Sequence, residues 1–173
     1  MRRHFWGAIG LAFLAACGGS DAGDNSDASF APKVSPDDFS VLVGDEWEGS
    51  LTYLDYSDEE TETTIPAELL VGQNGRTFEL YFSFPEDPRA DGRAEVAISE
   101  NGRKVNDETV QRRVQRGDEL MLVTKQDCQD NAVTATCEYT YTIAPQEFTI
   151  TKMVTPRDED EAFRRNHYSF TRS

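Results

Sequence analysis

Two basic side chains fall where an alternating pattern calls for apolar ones. In Val110-Gln111-Arg112-Arg113-Val114, Arg112 keeps step with the two valines, and in Ile150-Thr151-Lys152-Met153-Val154, Lys152 sits between Ile150 and Val154 in the same way. On a β-strand such positions share one face. Arg112 and Lys152 would then point with the apolar set, as would Tyr53, which alternates with Trp47 and Leu51. A few cationic and phenolic groups in an apolar wall can fix the carboxylate or phosphate of an amphiphile. A β-bulge or a strand end beside either cation would instead turn it to water, because one extra residue flips every side chain beyond it.

Other reactive groups are sparse. His4 and His167 are the two histidines, and His167, in Arg165-Asn166-His167-Tyr168, reads as a surface or capping residue. Neither a Gly-x-Ser-x-Gly turn nor a Gly-rich phosphate loop is present. With 32 Asp and Glu, chance carboxylate pairs are inevitable, so no glycosidase-like pair can be singled out. The acidic runs 58–62 and 158–161 lack the ligand spacing and the Gly of a calcium loop. The residues therefore point away from catalysis, and call for no metal and no cofactor.

The three thiols are Cys17, Cys128 and Cys137. Cys17 closes a leader in which Arg2 and Arg3 precede an apolar run over 5–16 that ends Leu14-Ala15-Ala16-Cys17, the three-part order of an export signal. The run is too short to cross a bilayer, which takes ~20 residues. Its ending resembles the bacterial lipobox of Leu, small, small, Cys. That resemblance implies a diacylglyceryl group on Cys17 and removal of residues 1–16; an ordinary signal peptide with a coincidental Cys is the other reading. Each buried methylene contributes ~0.8 kcal/mol, so two or three acyl chains anchor a protein stably. Gly18, in place of Asp, implies transfer to the outer membrane, facing the periplasm, if the enterobacterial sorting rule applies. With Cys17 lipidated, Cys128 and Cys137 form an even pair in an exported chain and are expected as a disulfide. It would constrain the unfolded chain by roughly 2.5 to 3 kcal/mol on the loop-entropy model. Zinc would need more ligands than two thiols and His167, and the Cys-x-x-Cys spacing of a redox pair is absent.

Without residues 1–16 the chain carries 15 Lys and Arg against 32 Asp and Glu, a net charge of −17. That excludes nucleic acid as a partner and a polybasic membrane patch as an anchor. Membrane attachment must come from lipid on Cys17. Residues 17–38 are Gly, Ser, Asp, Ala, Asn and Pro with almost no bulky apolar side chain and read as a tether. Residues 39–173 are enough for one domain with a proper core.

Strand signals recur through that domain. They cover 47–56, 63–71, 76–84, 93–99, 103–114, 119–124, 136–143, 147–154 and 168–172, with Asn74-Gly75 and Asn101-Gly102 as hairpin turns. Only 157–166 reads as a helix, with Pro156 at its start, acids in its first turn and Arg164 and Arg165 near its end. Phe78, Leu80, Phe82 and Phe84 share one face, as do Ala94, Val96 and Ile98, and likewise Tyr139, Tyr141 and Ile143. Short connections require antiparallel neighbours. The expected fold is all-β, an up-and-down barrel of eight or nine strands with one short helix before the last, because closure removes exposed edges; a β-sandwich is the alternative. An acidic exterior excludes a membrane-spanning barrel.

Gly44-Asp45-Glu46-Trp47 resembles the opening strand of lipocalins and related calycins, in which a Trp after a Gly begins the barrel. This chain has two residues between them where the family has one. The resemblance implies a barrel with a pocket at one end, and an Arg of the closing strand packed over the Trp. Arg172 could supply it, with Arg164 or Arg165 as other choices. Read from the residues alone, Trp47 is the largest core residue of the first strand. Two functional classes follow: a lipid-anchored envelope protein that binds a small amphiphile inside the barrel without transforming it, or one that docks on an envelope protein. An open cavity would favour the first, and a filled interior with an exposed apolar patch the second.

Overall fold

The computed structural model describes residues 31–173, apart from Glu59 and the side chain of Glu46. Residues 1–30, with the leader, Cys17 and most of the expected tether, lie outside the described residues.

Helix α1 (Pro36–Ser40) is followed by ten strands: β1 (Gly44–Leu54), β2 (Glu62–Asn74), β3 (Thr77–Ser83), β4 (Gly92–Ala97), β5 (Lys104–Val105), β6 (Glu108–Arg116), β7 (Glu119–Asp130), β8 (Val133–Ile143), β9 (Glu147–Pro156) and β10 (Phe163–Thr171). All ten lie in one sheet of order β4-β3-β2-β1-β10-β9-β8-β7-β6-β5. Its outermost strands meet through an antiparallel bridge between Ile98 and Val105, so the sheet closes on itself as an up-and-down barrel rather than a two-sheet sandwich. Asn106, at φ 52°, extends this seam. Its backbone N–H donates to Ala97 O at 2.7 Å, Nδ2 donates to Glu95 O at 2.8 Å, and Oδ1 accepts from Ala97 N–H at 2.8 Å. A side-chain amide thus satisfies backbone groups that a further strand would otherwise have paired. The turn at Asn106 also divides the segment 103–114, expected as one strand, into β5 and β6.

Two expectations need correction. The helix expected over 157–166 is absent: Phe163 pairs with Val154 and the chain runs straight into β10. That segment has no apolar stripe for a helix to bury, whereas the edge of β9 offers a ladder to complete. Among the described residues the one α-helix is α1, at the other end of the domain. Residues before 39, expected as tether, also belong to the packed domain. Val34, Phe39 and Leu42 are buried, and Val34 N–H donates to Gly102 O at 2.9 Å. Gly102 is required there: its φ is +69°, and a Cβ would stand 2.4 Å from Val34 O.

α1 plugs one end of the barrel. Ser35 N–H donates to Asp38 Oδ2 at 2.8 Å, closing the first turn, and Asp38 pairs with Arg113 of β6 at 2.5 Å. Phe39 then enters the lumen between Phe78, at 5.6 Å between ring centroids, and Tyr141, at 5.8 Å. Trp47 Nε1 donates to Leu42 O at 2.8 Å. Arg172 lies over the Trp47 ring at 4.4 Å, its Nη2 donating to Val41 O at 2.6 Å and its Nε to Pro145 O at 2.8 Å. The last strand, the first strand and the helical plug are joined at this one point.

Candidate functional site: the hairpin half of the lumen

The strand register stacks the inward side chains in layers. Nearest α1, Leu120, Ile143, Phe148, Phe170, Gly49 and Ala67 stand opposite one another from β7 round to β2. Gly49 has no room for a side chain, since a Cβ would lie 1.9 Å from Ser169 O; Trp47, Phe148 and Phe170 fill the space instead. Two residues along each strand, the next layer is Leu122, Tyr141, Ile150, Tyr168, Leu51 and Ile65. Its Leu122 and Tyr141 are buried, but Ile150, Tyr168, Leu51 and Ile65 are only partly so. The third layer is polar: Thr124, Tyr139, Lys152, Asn166, Tyr53 and Thr63. Successive layers are about 7 Å apart at the rise of a strand. An apolar shelf that water can reach therefore lies directly beside a ring of polar groups.

Beyond the polar ring the long β7–β8 hairpin ends at Asn131 and Ala132, both at positive φ, and Asp130 turns inward from its tip. Asp130 Oδ1 accepts from Lys152 Nζ at 2.9 Å, and Oδ2 accepts from Arg165 Nε at 2.7 Å. The side chains of Asp130, Lys152 and Arg165 are 4%, 15% and 2% exposed. The Arg165 guanidinium is stacked between Tyr56, at 4.3 Å, and Phe163, at 4.8 Å. Burial would raise the Asp130 carboxyl, but its hydrogen bonds and the charges of Lys152 and Arg165 outweigh that and hold it below the ordinary range. A cavity of about 320 Å³ adjoins this cluster, walled by Leu54, Val133, Val154 and Phe163, with Asp130, Glu159 and Arg165 as charged lining.

A second buried carboxyl is in a different state. Glu108 accepts from the Tyr141 hydroxyl at 3.1 Å and from Thr124 Oγ1, yet burial dominates and raises its pKa. Burial and the nearby Glu108 push the Tyr141 phenol well up in turn.

The sequence-derived site residues are distributed as follows. Lys152 and Tyr53 belong to the polar ring. Arg112 does not enter the lumen: a bulge between Val110 and Arg112 turns it out to solvent and sets Arg113 opposite the buried Leu122. Arg113 is in turn held by Asp38 of α1. Trp47 and Arg172 are stacked at the plugged end, while Arg164 pairs with Glu62 on the exterior and Arg165 occupies the hairpin half. Cys128 and Cys137 are bonded, with Cα atoms 5.8 Å apart, bracing the hairpin behind Asp130. His167 faces outward beside Thr151, whose Oγ1 is 2.8 Å from Nδ1, and burial followed by the Arg164 charge lowers its pKa. Asp58 accepts from the Thr61 hydroxyl and the N–H groups of Glu60 and Thr61, which hold its carboxyl at about 2. Asp130 and Arg165 escaped the sequence reading. Arg165 lies at a bulge, between Arg164 and Asn166, where the register shifts, and a charged residue at a hairpin tip reads as solvated.

No protein-family model matches the sequence, and no curated protein matches it significantly. Among solved structures, Rv2717c from M. tuberculosis is similar at 12% identity, over 78% of this chain and 94% of that one, with a TM-score of 0.54. A mutant of the fluorescent protein UnaG is similar at 13% identity, over 77% of this chain and 96% of its own, with a TM-score of 0.37. At such identities the likeness to Rv2717c is one of fold.

Proposed function

We propose that this chain is a lipid-anchored envelope protein that holds a small hydrophobic or amphiphilic molecule, unchanged, in the hairpin half of its barrel. The observation that carries the reading is the step from the water-accessible apolar shelf of Leu51, Ile65, Ile150 and Tyr168 to the polar ring of Tyr53, Lys152 and Asn166. A pocket that is mostly apolar with a few convergent polar groups is how proteins hold small molecules. The test is native mass spectrometry of the protein purified gently from its own envelope, repeated after denaturation. A reproducible extra mass released on unfolding is expected; a bare mass from a well-folded, disulfide-bonded protein would overturn the reading.

The anchor rests on Leu14-Ala15-Ala16-Cys17 and the placement on Gly18, which favour the outer membrane with the barrel in the periplasm. Cys17→Ala is expected to abolish labelling by a radioactive fatty acid and to release the protein from the membrane fraction. A docking role on an envelope protein has one observation in its favour. Leu70 and Tyr81 face each other across β2 and β3 on the exterior and are 43% and 39% exposed. It becomes the better reading if the lumen is empty in the native material.

A further inference from the structure

The barrel is closed at its seam over only part of its height. β5 has two residues, which pair with Glu108 and Thr109 of β6, and one further bond runs from Val110 N–H to Arg103 O at 2.9 Å. Beyond that point β6 keeps β7 on one side and has no strand on the other. From Gln111 to Arg116, alternate backbone N–H and C=O groups therefore face out from a sheet edge, onto which an added strand can pair. Across the seam the Asn106 amide occupies the edge of β4 at Glu95 and Ala97. Among the described residues no side chain does the same for 111–116. A groove of about 440 Å³ opens beside Arg113, in the middle of this edge, toward the turn at Asn101 and Gly102. Side-chain charge selects what can pair there. Arg112, Val114 and Arg116 share the outer face of the sheet with Val123, Met121 and Glu119 of β7. Arg112 and Arg116 are exposed, and among the described residues neither is in an ion pair. A strand laid against this edge sets its own outward residues beside Arg112, Val114 and Arg116. Opposite charges across two strands favour pairing and like charges oppose it. The same edge of a second copy would bring arginine to arginine, whereas an acidic strand is complementary.

We propose that the 111–116 edge of β6 is a docking site for an extended acidic segment of a partner protein. The segment adds a strand to the barrel, with acidic side chains beside Arg112 and Arg116 and an apolar one beside Val114. Six residues of strand span about 20 Å. Main-chain hydrogen bonds supply the pairing, and the alternate side chains choose the sequence. The site is on the outside of the barrel and shares no residue with the shelf and polar ring of the lumen, so it stands or falls independently of the ligand-binding reading.

The experiment titrates the end-blocked hexapeptide Asp-Thr-Val-Thr-Asp-Thr into the ¹⁵N-labelled, disulfide-bonded protein and follows backbone amides by NMR. The comparisons are Lys-Thr-Val-Thr-Lys-Thr and the acidic peptide with its backbone fully N-methylated. The acidic peptide is expected to shift the amides of 111–116 and to slow their hydrogen exchange. It should bind about tenfold more tightly than the lysine peptide, because two cross-strand charge pairs change sign between them. N-methylation removes the backbone donors and is expected to abolish binding. The double variant Arg112→Glu, Arg116→Glu alters only exposed side chains, so it is expected to fold and to prefer the lysine peptide. Equal binding of the two charged peptides, an acidic preference kept by the double variant, undiminished binding after N-methylation, or no shift at 111–116 at millimolar peptide would each overturn the proposal. Binding to phosphatidylglycerol vesicles that the double variant loses, with no shift by any peptide, would overturn it in favour of a lipid surface.

Discussion

The two ends of this barrel use inward-facing side chains in opposite ways. At the α1 end, Phe39, Trp47, Phe78, Phe148 and Phe170 are buried to completion and locked by an ion pair, a stacked arginine and a tryptophan hydrogen bond. At the hairpin end, several side chains of the same inward parity keep contact with water, and the charged Asp130 and Arg165 are buried beside the small apolar cluster of Ala135, Cys137 and Val154. One sheet thus divides its interior into a half that supplies the hydrophobic driving force and a half that keeps a polar, accessible surface. The cost of the second half is met by the first, and under the proposed function a ligand would enter without repacking the core.

Substitutions that empty the plugged end should cost most. Phe39→Ala is expected to lose about 3 to 5 kcal/mol of unfolding free energy, as buried aromatic truncations do. Tyr53→Ala at the other end is expected to lose about 1 kcal/mol or less, since it is half-exposed. Urea midpoints of the two variants give the answer, and equal losses would erase the distinction between the halves. Asp130→Ala is comparable in size but different in kind. It removes the carboxylate that Lys152 and Arg165 share, and removing one partner of a buried ionic cluster costs about 3 to 5 kcal/mol. Replacing Asp130 and Lys152 together should recover much of that loss, which a double-mutant cycle would reveal.

Acid and base should act on the two carboxyls with opposite sign. Asp130 is held below its ordinary 3.8, so its contribution is present above that value and is lost as pH falls through the folded-state pKa. Glu108 is raised above its ordinary 4.5. Folding takes up a proton there, so its contribution is full below 4.5 and falls as pH rises through the folded-state value. Glu108→Gln is expected to flatten the stability profile between pH 5 and pH 8, and melting curves at the two pH values measure it. A profile unchanged by the substitution would contradict a Glu108 carboxyl raised by burial. The smallest effect is expected of Arg112→Ala, within about 0.5 kcal/mol in stability and without change in ligand retention, because the bulge turns Arg112 out to solvent.

The alternation of Phe78 to Phe84 and of Tyr139 to Ile143 made the barrel and its inner faces legible, because β-strand parity survives wherever the ladder is regular. It fails at two bulges. One, before Arg112, exchanges Arg113 for Arg112 on the inner face, and the other, after Arg164, brings Arg165 inward. Both are decided by pairing with a neighbouring strand, which no local window contains. α1 escaped because five residues are too few to show a helical period. Ser35-Pro36-Asp37-Asp38, a cap followed by Pro and a returning acid, was the signal available for it. The polar acids of 157–166 mimicked a helix start, but tertiary pairing with β9 prevailed. The shared Asp130 was invisible because its two cations come from strands β9 and β10, more than twenty residues away in sequence.

The most direct test of the division is a methyl-resolved NMR titration with 1-octanol, a probe that needs no charge. Shifts confined to the methyls of Leu51, Ile65 and Ile150, with Leu69, Val71 and Leu120 of the plugged end unmoved, are the predicted result. Shifts spread evenly over both sets, or none at Leu51, Ile65 and Ile150 at saturating octanol, would contradict a lumen that is filled at one end and open to a ligand at the other.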